Sequence, residues 1–440
     1  MRMRNSSVLT IDLGSAYTKI AIREGWDAQA SLVRGTSLGD GGPEENYIIP
    51  SVVARSRGEW ITGIAAARQV PGPGVTIFRN WKAGLFTNGE RSGGGEGSTS
   101  KTLEVDHDAA RDVAAAFFGS LRAALPNAHR ERDLMKLPVR VCVPRLSDGS
   151  SGEAAIRDVL QQTGWTDAEG RSVIYEPESN ALGLISRGRN ATWVPRMVSF
   201  QPWYGRSSHL QGMIGPPLSR IFRAMSGEFG LLVTDIGAFT TDFGYVRFDA
   251  SFASDDWNRP HIVQESCRLG IRDLDREVID SLPPEIQGVI KVVPPADWER
   301  AKPVLYRGSS AAIRNPNGGR VVLGEGEDAA RVADAIQKFA TRAWEAREAF
   351  VKTHVRGPLQ GEALTGGGAM VPAIRKVLLD KIRQAGRRWI YDLSDRAQLA
   401  KELDDGRGHV NQRELEAAIR SSQELVRGGS AIGGCSVFFE

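Results

Sequence analysis

Two aspartates, Asp12 and Asp235, stand in two copies of one short sequence motif and are the residues best suited to chemistry. The first copy reads VLTIDLGSAYTKIAI over residues 8–22, and the second reads LLVTDIGAFTTDFGYV over residues 231–246. Each copy is rich in β-forming residues up to its aspartate, and a glycine follows two positions later. Carboxylates placed in this way could hold hydrated Mg²⁺, which prefers oxygen ligands and keeps much of its water.

Each aspartate is followed by residues that could bind an anion. Gly14 and Gly237 lack a Cβ atom, so the backbone can turn sharply there and bring its N–H groups close to an oxyanion. The hydroxyls of Ser15 and Thr240 could donate hydrogen bonds to phosphate oxygens. The other turn residues that we expect at the ligand are Ala16, Tyr17, Ala238, Phe239 and Thr241.

The two copies together indicate a clamp on a metal–triphosphate. A single aspartate–glycine turn is common in hairpins and by itself would indicate little. A matched pair, with one copy in each half of the chain, is typical of an internal repeat. We therefore predict that Asp12 and Asp235 hold Mg²⁺ through its water shell while the two turns bind the phosphates.

A third motif, ALTGGGAMVP over residues 363–372, is a short apolar run that enters three glycines and then a helix. Gly366, Gly367 and Gly368 would let a flat base or a ribose lie against the backbone. The N-terminus of the following helix would face polar groups of the ligand. Alone, such a triplet is more often a loop, but after two phosphate hairpins it predicts the adenosine end of the site.

The alternation of β-rich runs with helical patterns predicts an α/β fold. Apolar residues at helical spacing predict a long helix near 327–353, and shorter helices are expected at 154–162, around 274–282 and after Pro372. Three segments look like loops or insertions, namely 87–100, 187–229 and 386–412.

Length and composition argue against several classes of protein. A chain of 440 residues is too long for one core and should form two lobes or more. The formal net charge of +3 does not indicate nucleic-acid binding. The three cysteines form no CxxC pair and the six histidines are scattered, so we expect reduced thiols and no zinc site. Without a signal-like start or a run of about 18 apolar residues, we predict a cytoplasmic protein with no membrane span.

Four motifs follow one another along the chain: DLGSAYTKI, IYEPESNALGL, DIGAFTTDFG and LTGGGAMVP. In this order they resemble the actin-like ATPase superfamily, which joins actins, sugar kinases and the seventy-kilodalton heat-shock chaperones. Residues 139–165 and WERAKPVLY at 298–306 are similar to the chaperone branch in particular. The resemblance implies two lobes, each a mixed sheet flanked by helices, with ATP or ADP and Mg²⁺ in the cleft between them.

The resemblance also implies roles for single residues. Glu176 would orient the attacking water or the Mg²⁺ shell, and Lys82 would contact phosphate. The residues expected to take part in catalysis are therefore Asp12, Lys82, Glu176, Asp235 and Thr240. The additional nucleotide-binding residues that the resemblance implies are Gly270, Glu299, Lys302 and Met370.

Some residues depart from the chaperone pattern. Ala238 and Phe239 stand where the chaperones carry glycines, so we expect ATP binding with slow hydrolysis. Pro303 and Tyr306 replace polar residues on the adenine side, and Met370 replaces an arginine near the ribose. Apolar contact would then hold the base.

The chain is expected to divide at the boundaries of the motifs. Residues 1–186 would form lobe I, 187–229 an insertion, and 230–412 lobe II with the second hairpin and the adenosine motif. Residues 413–440 would form a closing helix and a tail that pack back toward lobe I. After this helix we expect no counterpart of the chaperones' peptide-binding domain.

Two classes of function fit these expectations. In the first, an ATPase acts as a conformational switch for a protein partner, and the insertion with Trp193, Trp203 and Tyr204 is a candidate docking surface. In the second, ATP controls self-assembly of a bacterial actin-like filament of the cytoskeletal or plasmid-segregating kind. A small-molecule kinase is a weaker alternative, because no acceptor-activating aspartate is evident.

Overall fold

The computed structural model describes most of the chain. The described residues are 7–25, 30–39, 46–86, 107–128, 134–146, 152–168, 170–193, 228–249, 261–316, 318–387, 389–392 and 412–435. Segment 87–100 lies outside them, as do 194–227 of the expected insertion, with Trp203 and Tyr204, and the tail after residue 435.

The first motif forms the hairpin at the centre of a seven-stranded mixed sheet. Strand β1 pairs antiparallel with β2 on one side and parallel with β8 on the other, and β8 pairs parallel with β10. Since β1 is covered on both faces, its residues are apolar with little alternation. The strands are β1 (Ser7–Leu13), β2 (Tyr17–Glu24), β3 (Ser31–Leu32), β4 (Ile49–Pro50), β8 (Pro138–Val143), β9 (Thr166–Asp167) and β10 (Val173–Tyr175).

The second motif forms the equivalent hairpin in a five-stranded mixed sheet with the strand order β13-β12-β11-β16-β17. As in the first sheet, the strand that ends in the motif aspartate has an antiparallel hairpin partner on one side and a parallel strand on the other. The strands are β11 (Glu228–Ile236), β12 (Thr241–Asp249), β13 (His261–Cys267), β16 (Gly361–Thr365) and β17 (Trp389–Asp392).

Two smaller sheets complete the strands of the described residues. They comprise β5 (Val53–Ser56), β6 (Glu59–Thr62) and β7 (Val75–Phe78) in one, and the hairpin of β14 (Ala311–Arg314) and β15 (Arg320–Leu323) in the other. Strand β17 corrects the expectation that 386–412 is a loop throughout. Its sequence WIYD is a β-favouring aromatic and branched run that the charged residues around it obscured.

The helices lie between and after these strands. They are α1 (Gly63–Ala67), α2 (Trp81–Leu85), α3 (His107–Ala128), α4 (Glu153–Gln162), α5 (Glu176–Trp193), α6 (Ile271–Ser281), α7 (Pro284–Val292), α8 (Pro295–Leu305), α9 (Glu327–His354), α10 (Gly366–Ala369), α11 (Pro372–Gln384) and α12 (Gln412–Gly434). Helices α4, α6, α9 and α11 confirm the helices expected near 154–162, 274–282, 327–353 and after Pro372.

Two helices extend further than the sequence predicts. Helix α5 continues to Trp193, past residue 187, where the insertion was expected to begin. Helix α12 was expected to end near residue 427, but it resumes after a non-helical Gly428 and runs to Gly434. Glycines weaken a helix in isolation, yet here they allow α12 to pack closely on its neighbours.

Each large sheet has a hydrophobic core of its own. The first core joins β1, β2 and β8 to α3 and α4, with Phe117 and Phe118 at its centre. The second joins the ends of β11 and β16 to α6, α9 and α11, with Phe339 fully buried. The architecture is thus α/β, with mixed sheets flanked by helices. Among the described residues, no helix is both apolar enough and long enough to cross a membrane.

Candidate functional site

A cavity of about 710 Å³ lies where the turns of the two motif hairpins meet. Its walls come from β1, β2, α2, α5, β11, β12, α6, α8, α10, α11 and α12, so they combine residues from nearly the whole length of the chain. The lining residues that the sequence predicted are Asp12, Gly14, Ser15, Ala16, Tyr17, Lys82, Glu176, Asp235, Gly237, Ala238, Phe239, Thr240, Glu299, Lys302, Gly366, Gly367 and Met370.

Three predicted site residues do not line this cavity. Thr241 is fully buried and donates its hydroxyl to the carbonyl oxygen of Leu269 at 2.6 Å. A Cβ atom on Gly270 would lie 2.4 Å from the carbonyl oxygen of Ala238, so this glycine lets α6 begin directly behind the second hairpin turn. A Cβ atom on Gly368 would collide with the side chain of Ile236. All three serve the packing around the turns.

One end of the cavity carries four carboxylates and two lysines. Lys19 Nζ lies 3.1 Å from Asp12 Oδ2, and Lys82 forms a buried ion pair with Glu176. The other two carboxylates are Asp235 and Asp242. Lys19 and Asp242 were not among the residues predicted for the site. Because each is the cross-strand partner of a motif aspartate, pairing the hairpin residues on paper would have found both.

Burial and mutual repulsion keep part of this acid cluster protonated near neutral pH. Burial, together with repulsion from Asp12, raises the pKa of Asp235 to about 7. Burial and repulsion from Asp235 likewise raise the pKa of Asp242 to about 7. Burial also raises the pKa of Glu176, although the adjacent Lys82 ammonium opposes the shift. The cluster therefore has fewer cations than its carboxylates need when ionised.

These pKa shifts predict that the free protein loses stability as the pH rises from about 4 to about 7. Asp235 and Asp242 keep their protons in the folded state at pH values where the unfolded chain has released them, so rising pH favours unfolding. We expect Asp242→Asn to flatten this dependence in thermal denaturation without Mg²⁺. Asp380→Asn, which changes a carboxylate paired with Arg383 on α11, is the control. Equal slopes for both variants would contradict the prediction.

The first hairpin turn presents a hydroxyl for which the described residues provide no partner. Gly14 N–H donates to the Asp12 carbonyl at 3.0 Å, and a Cβ atom on Gly14 would lie 2.2 Å from the carbonyl oxygen of Tyr17. Ser15 Oγ is buried and forms no hydrogen bond within the described part of the chain. Since a buried hydroxyl is costly without a partner, Ser15 can accept or donate a bond to a ligand.

The glycine motif lies against the second hairpin. Gly366 has a φ of +86°, and a Cβ atom there would lie 2.0 Å from Asp235 Oδ1. By contrast, a Cβ atom on Gly367 would meet no atom within 4 Å. Both glycines line the cavity, together with Met370. Gly366 thus makes room for the carboxylate of Asp235, while Gly367 leaves its backbone open to the cavity.

The far end of the cavity carries a second network of charges. Lys302 Nζ lies 2.7 Å from Glu299 Oε1 and 3.1 Å from Asp275 Oδ2, and Tyr306 donates its hydroxyl to Asp275 at 2.5 Å. Burial lowers the pKa of Lys302, but the carboxylates of Asp275 and Glu299 outweigh it and raise that pKa. Pro303, the chain neighbour of Lys302, also lines the cavity.

Helix α12 adds Gln423, Arg427 and Ser430 to the cavity wall. None of these three residues was among those predicted for the site. No motif marks them, because their position depends on how the helix returns across the first sheet.

Within the described residues, no group of three or more histidine, cysteine, aspartate or glutamate side chains is arranged to hold a metal ion directly.

No protein-family model matches the chain, and no curated protein is significantly similar to it.

Proposed function

We propose that this chain is an ATP-binding, Mg²⁺-dependent ATPase of the actin-like superfamily, with the nucleotide in a cleft between two lobes. One observation carries the proposal. Two aspartate hairpins and a triple-glycine motif, predicted from sequence to clasp one nucleotide, line the same cavity although they stand far apart in the chain. The two sheets share one arrangement around these hairpins, which supports a duplicated architecture.

The residues present fit a magnesium nucleotide. A cavity of about 710 Å³ is of the size that small-molecule ligands occupy. A divalent cation would compensate the excess of carboxylates over lysines at the acid end and lower the pKa values of Asp235 and Asp242. The Ser15 hydroxyl supplies an unused hydrogen-bonding group beside the first turn. Gly367 leaves its backbone accessible to the cavity.

Each part of the cavity then has a task. When bound, Mg²⁺ would offset phosphate charge and fix the orientation of the phosphates. Asp12 and Asp235 would accept hydrogen bonds from the water shell of the ion. Lys19 and Lys82 would stabilise negative charge on the phosphate oxygens. Glu176, held by Lys82, would orient a water molecule for attack on the terminal phosphate.

The adenosine would lie toward the other end of the cavity. There the side chains of Pro303 and Met370 offer apolar surface, and the backbone of Gly367 is open. Tyr306 and Lys302 are already bonded to Asp275, so this wall is held in place before a ligand arrives. A wall fixed in advance lowers the entropy cost of binding.

The first test is nucleotide binding with the two aspartates changed. Asp12→Asn and Asp235→Asn keep the side-chain shape but remove the charge that would hold the hydrated cation. We expect each to weaken ATP binding in Mg²⁺ buffer at least about tenfold, measured by isothermal titration calorimetry, because a charged hydrogen-bonding group is lost. Asp380→Asn on α11 is the matched surface control. Variants that bind ATP–Mg²⁺ as tightly as the parent chain would overturn the proposal.

We propose further that binding acts as a conformational switch for a protein partner. One observation favours the filament-forming alternative: the bulky Phe239 before Thr240-Thr241-Asp242 in the second turn resembles the corresponding segment of some plasmid-segregation actins. Phe239 lines the cavity and lies under the guanidinium of Arg268, 5.6 Å from the ring centroid. Pelleting and light scattering in the presence of ATP and Mg²⁺ distinguish the switch from the filament, because only a filament-forming protein gives long polymers.

A further inference from the structure

Asn180 connects the acid end of the cavity to helix α5, whose first turns lie within the IYEPESNALGL motif. It lies near the start of α5 and is 1% exposed. Its side-chain amide donates to Asp235 Oδ2 at 2.5 Å and to Thr365 Oγ1 at 2.7 Å. Since α5 follows a strand of the first sheet, Asn180 bridges that sheet's helix to β11 and β16 of the second.

The other oxygen of Asp235 is confined as well. Oδ1 occupies the space that a Cβ atom of Gly366 would need, at 2.0 Å. Asp235 therefore has the Asn180 amide on one oxygen and the Gly366 backbone against the other. A carboxylate held on both sides has its orientation set before any ligand binds.

Helix α12 fixes the position of Asn180 in turn. A Cβ atom on Gly429 would lie 2.3 Å from Asn180 Oδ1, and that oxygen is buried without a hydrogen-bond partner among the described residues. The two helices are in close contact along this face. A Cβ atom on Gly433 would lie 1.6 Å from the carbonyl oxygen of Ser179, so only glycine permits this approach. Movement of α12 toward this face of α5 would therefore press on the Asn180 side chain.

We propose that Asn180 is a positioning residue that orients Asp235 toward the cavity, and that the glycine face of α12, Gly429 and Gly433, sets the position of Asn180. This inference rests on the proposed function, because Asp235 is assigned there to the hydrated cation. In this arrangement, the packing of α12 on α5 affects the orientation of Asp235 at the acid end of the cavity. Helix α12 also reaches the cavity directly through Arg427 and Ser430.

A purely structural role would make Asn180 one of several bridges between α5 and the second sheet. The chain offers a matched bridge for comparison. Gln264 on β13 donates to Glu178 Oε2 at 3.2 Å and accepts from the Glu178 N–H at 3.1 Å, so it also ties α5 to this sheet. Gln264 does not line the cavity. Asn180→Ala and Gln264→Ala thus remove comparable links, of which only one contacts Asp235.

The test compares ATP affinity in Mg²⁺ buffer with ATP affinity in EDTA for four variants. We expect Asn180→Ala and Gly429→Ala to lose about tenfold in Mg²⁺, because a hydrogen bond to a charged group is broken or displaced. The loss in EDTA should be much smaller. Gln264→Ala and Gly288→Ala, a helical glycine with nothing within 4 Å of an added Cβ, should match the parent chain. Equal losses with and without Mg²⁺, or the same losses in Gln264→Ala, would refute the positioning role.

A second measurement separates this inference from the proposed function. If the parent chain does not bind ATP–Mg²⁺, the proposed function fails. The interaction between Asn180 and Asp235 can then still be tested by its contribution to the free energy of unfolding. We expect Asn180→Ala and Asp235→Ala to be non-additive in chemical denaturation, because the two side chains share one hydrogen bond. Additive effects would overturn the link. Should Asn180→Ala not fold, Asn180→Ser takes its place in both measurements.

Discussion

Replacing Lys82 by methionine is expected to destabilise the fold by about 3–5 kcal/mol, since a buried ion pair loses one partner. Lys82 and Glu176 are both buried and bonded to each other, one on α2 and the other at the start of α5. Without the ammonium, the pKa of Glu176 rises further, because Lys82 now opposes the shift that burial causes. The loss should therefore be small at low pH, where Glu176 is protonated, and full at alkaline pH.

Chemical denaturation at pH 6 and pH 8.5 measures this effect. The double variant Lys82→Met/Glu176→Gln is the control, because it removes both charges and leaves similar volumes. We expect it to regain most of the lost stability and to remain inactive in ATP hydrolysis, since the groups proposed to stabilise phosphate charge and to orient water are both absent. A single variant as stable as the parent chain at pH 8.5 would show that the ion pair contributes nothing to the fold.

The second large effect is expected when Gly366, the first glycine of the third motif, is replaced. Gly366→Ala places a Cβ atom 2.0 Å from Asp235 Oδ1 and 2.5 Å from the carbonyl oxygen of Ile236, at a φ of +86° that other residues rarely adopt. We expect a destabilisation of about 1–3 kcal/mol and a loss of Mg²⁺-dependent ATP binding, because Asp235 must leave its position.

Gly367→Ala is the matched control. It lies one residue away and lines the same cavity, but an added Cβ meets no atom within 4 Å. The fold should keep its stability or gain slightly, because alanine favours the helical backbone of α10 more than glycine does. Thermal denaturation of Gly366→Ala and Gly367→Ala compares their stabilities. Equal destabilisation would mean that the triplet serves only the loop and that Gly366 has no special relation to Asp235.

The two hairpins are similar in backbone and unequal in charge. In the first, Asp12 faces Lys19 across the strand pair, and the two form a salt bridge. In the second, Asp235 faces another acid, Asp242, and repulsion between these two raises the pKa of Asp242. Since the cross-strand partner of Asp235 is an acid rather than a lysine, the acids of the second hairpin depend more than Asp12 on a bound metal. We therefore expect changes in the second hairpin to alter Mg²⁺ dependence more strongly.

Local sequence determined the elements and most of the candidate site. Strands that end in Asp12 and Asp235, their glycine turns and the helix at 327–354 follow from propensity and spacing over short windows. The α/β class followed in the same way. Thr241 and Gly368 were assigned to the ligand because they stand inside motifs, yet one bonds a neighbouring backbone and the other packs on Ile236. A motif fixes which residues are near a turn, whereas side-chain direction depends on the pairing of strands.

Tertiary structure decided which residues complete the cavity. Lys19 and Asp242 follow from hairpin register, which the sequence implied but did not state. Asn180 stands in the motif IYEPESNALGL but was not predicted for the site, and the α12 residues Arg427 and Ser430 lie in no motif. They reach the site because glycines let α12 and α5 approach to backbone contact, and helix packing joins residues that are remote in the chain. The sequence alone thus determined the pair of aspartate turns, while long-range packing determined what holds each aspartate in place.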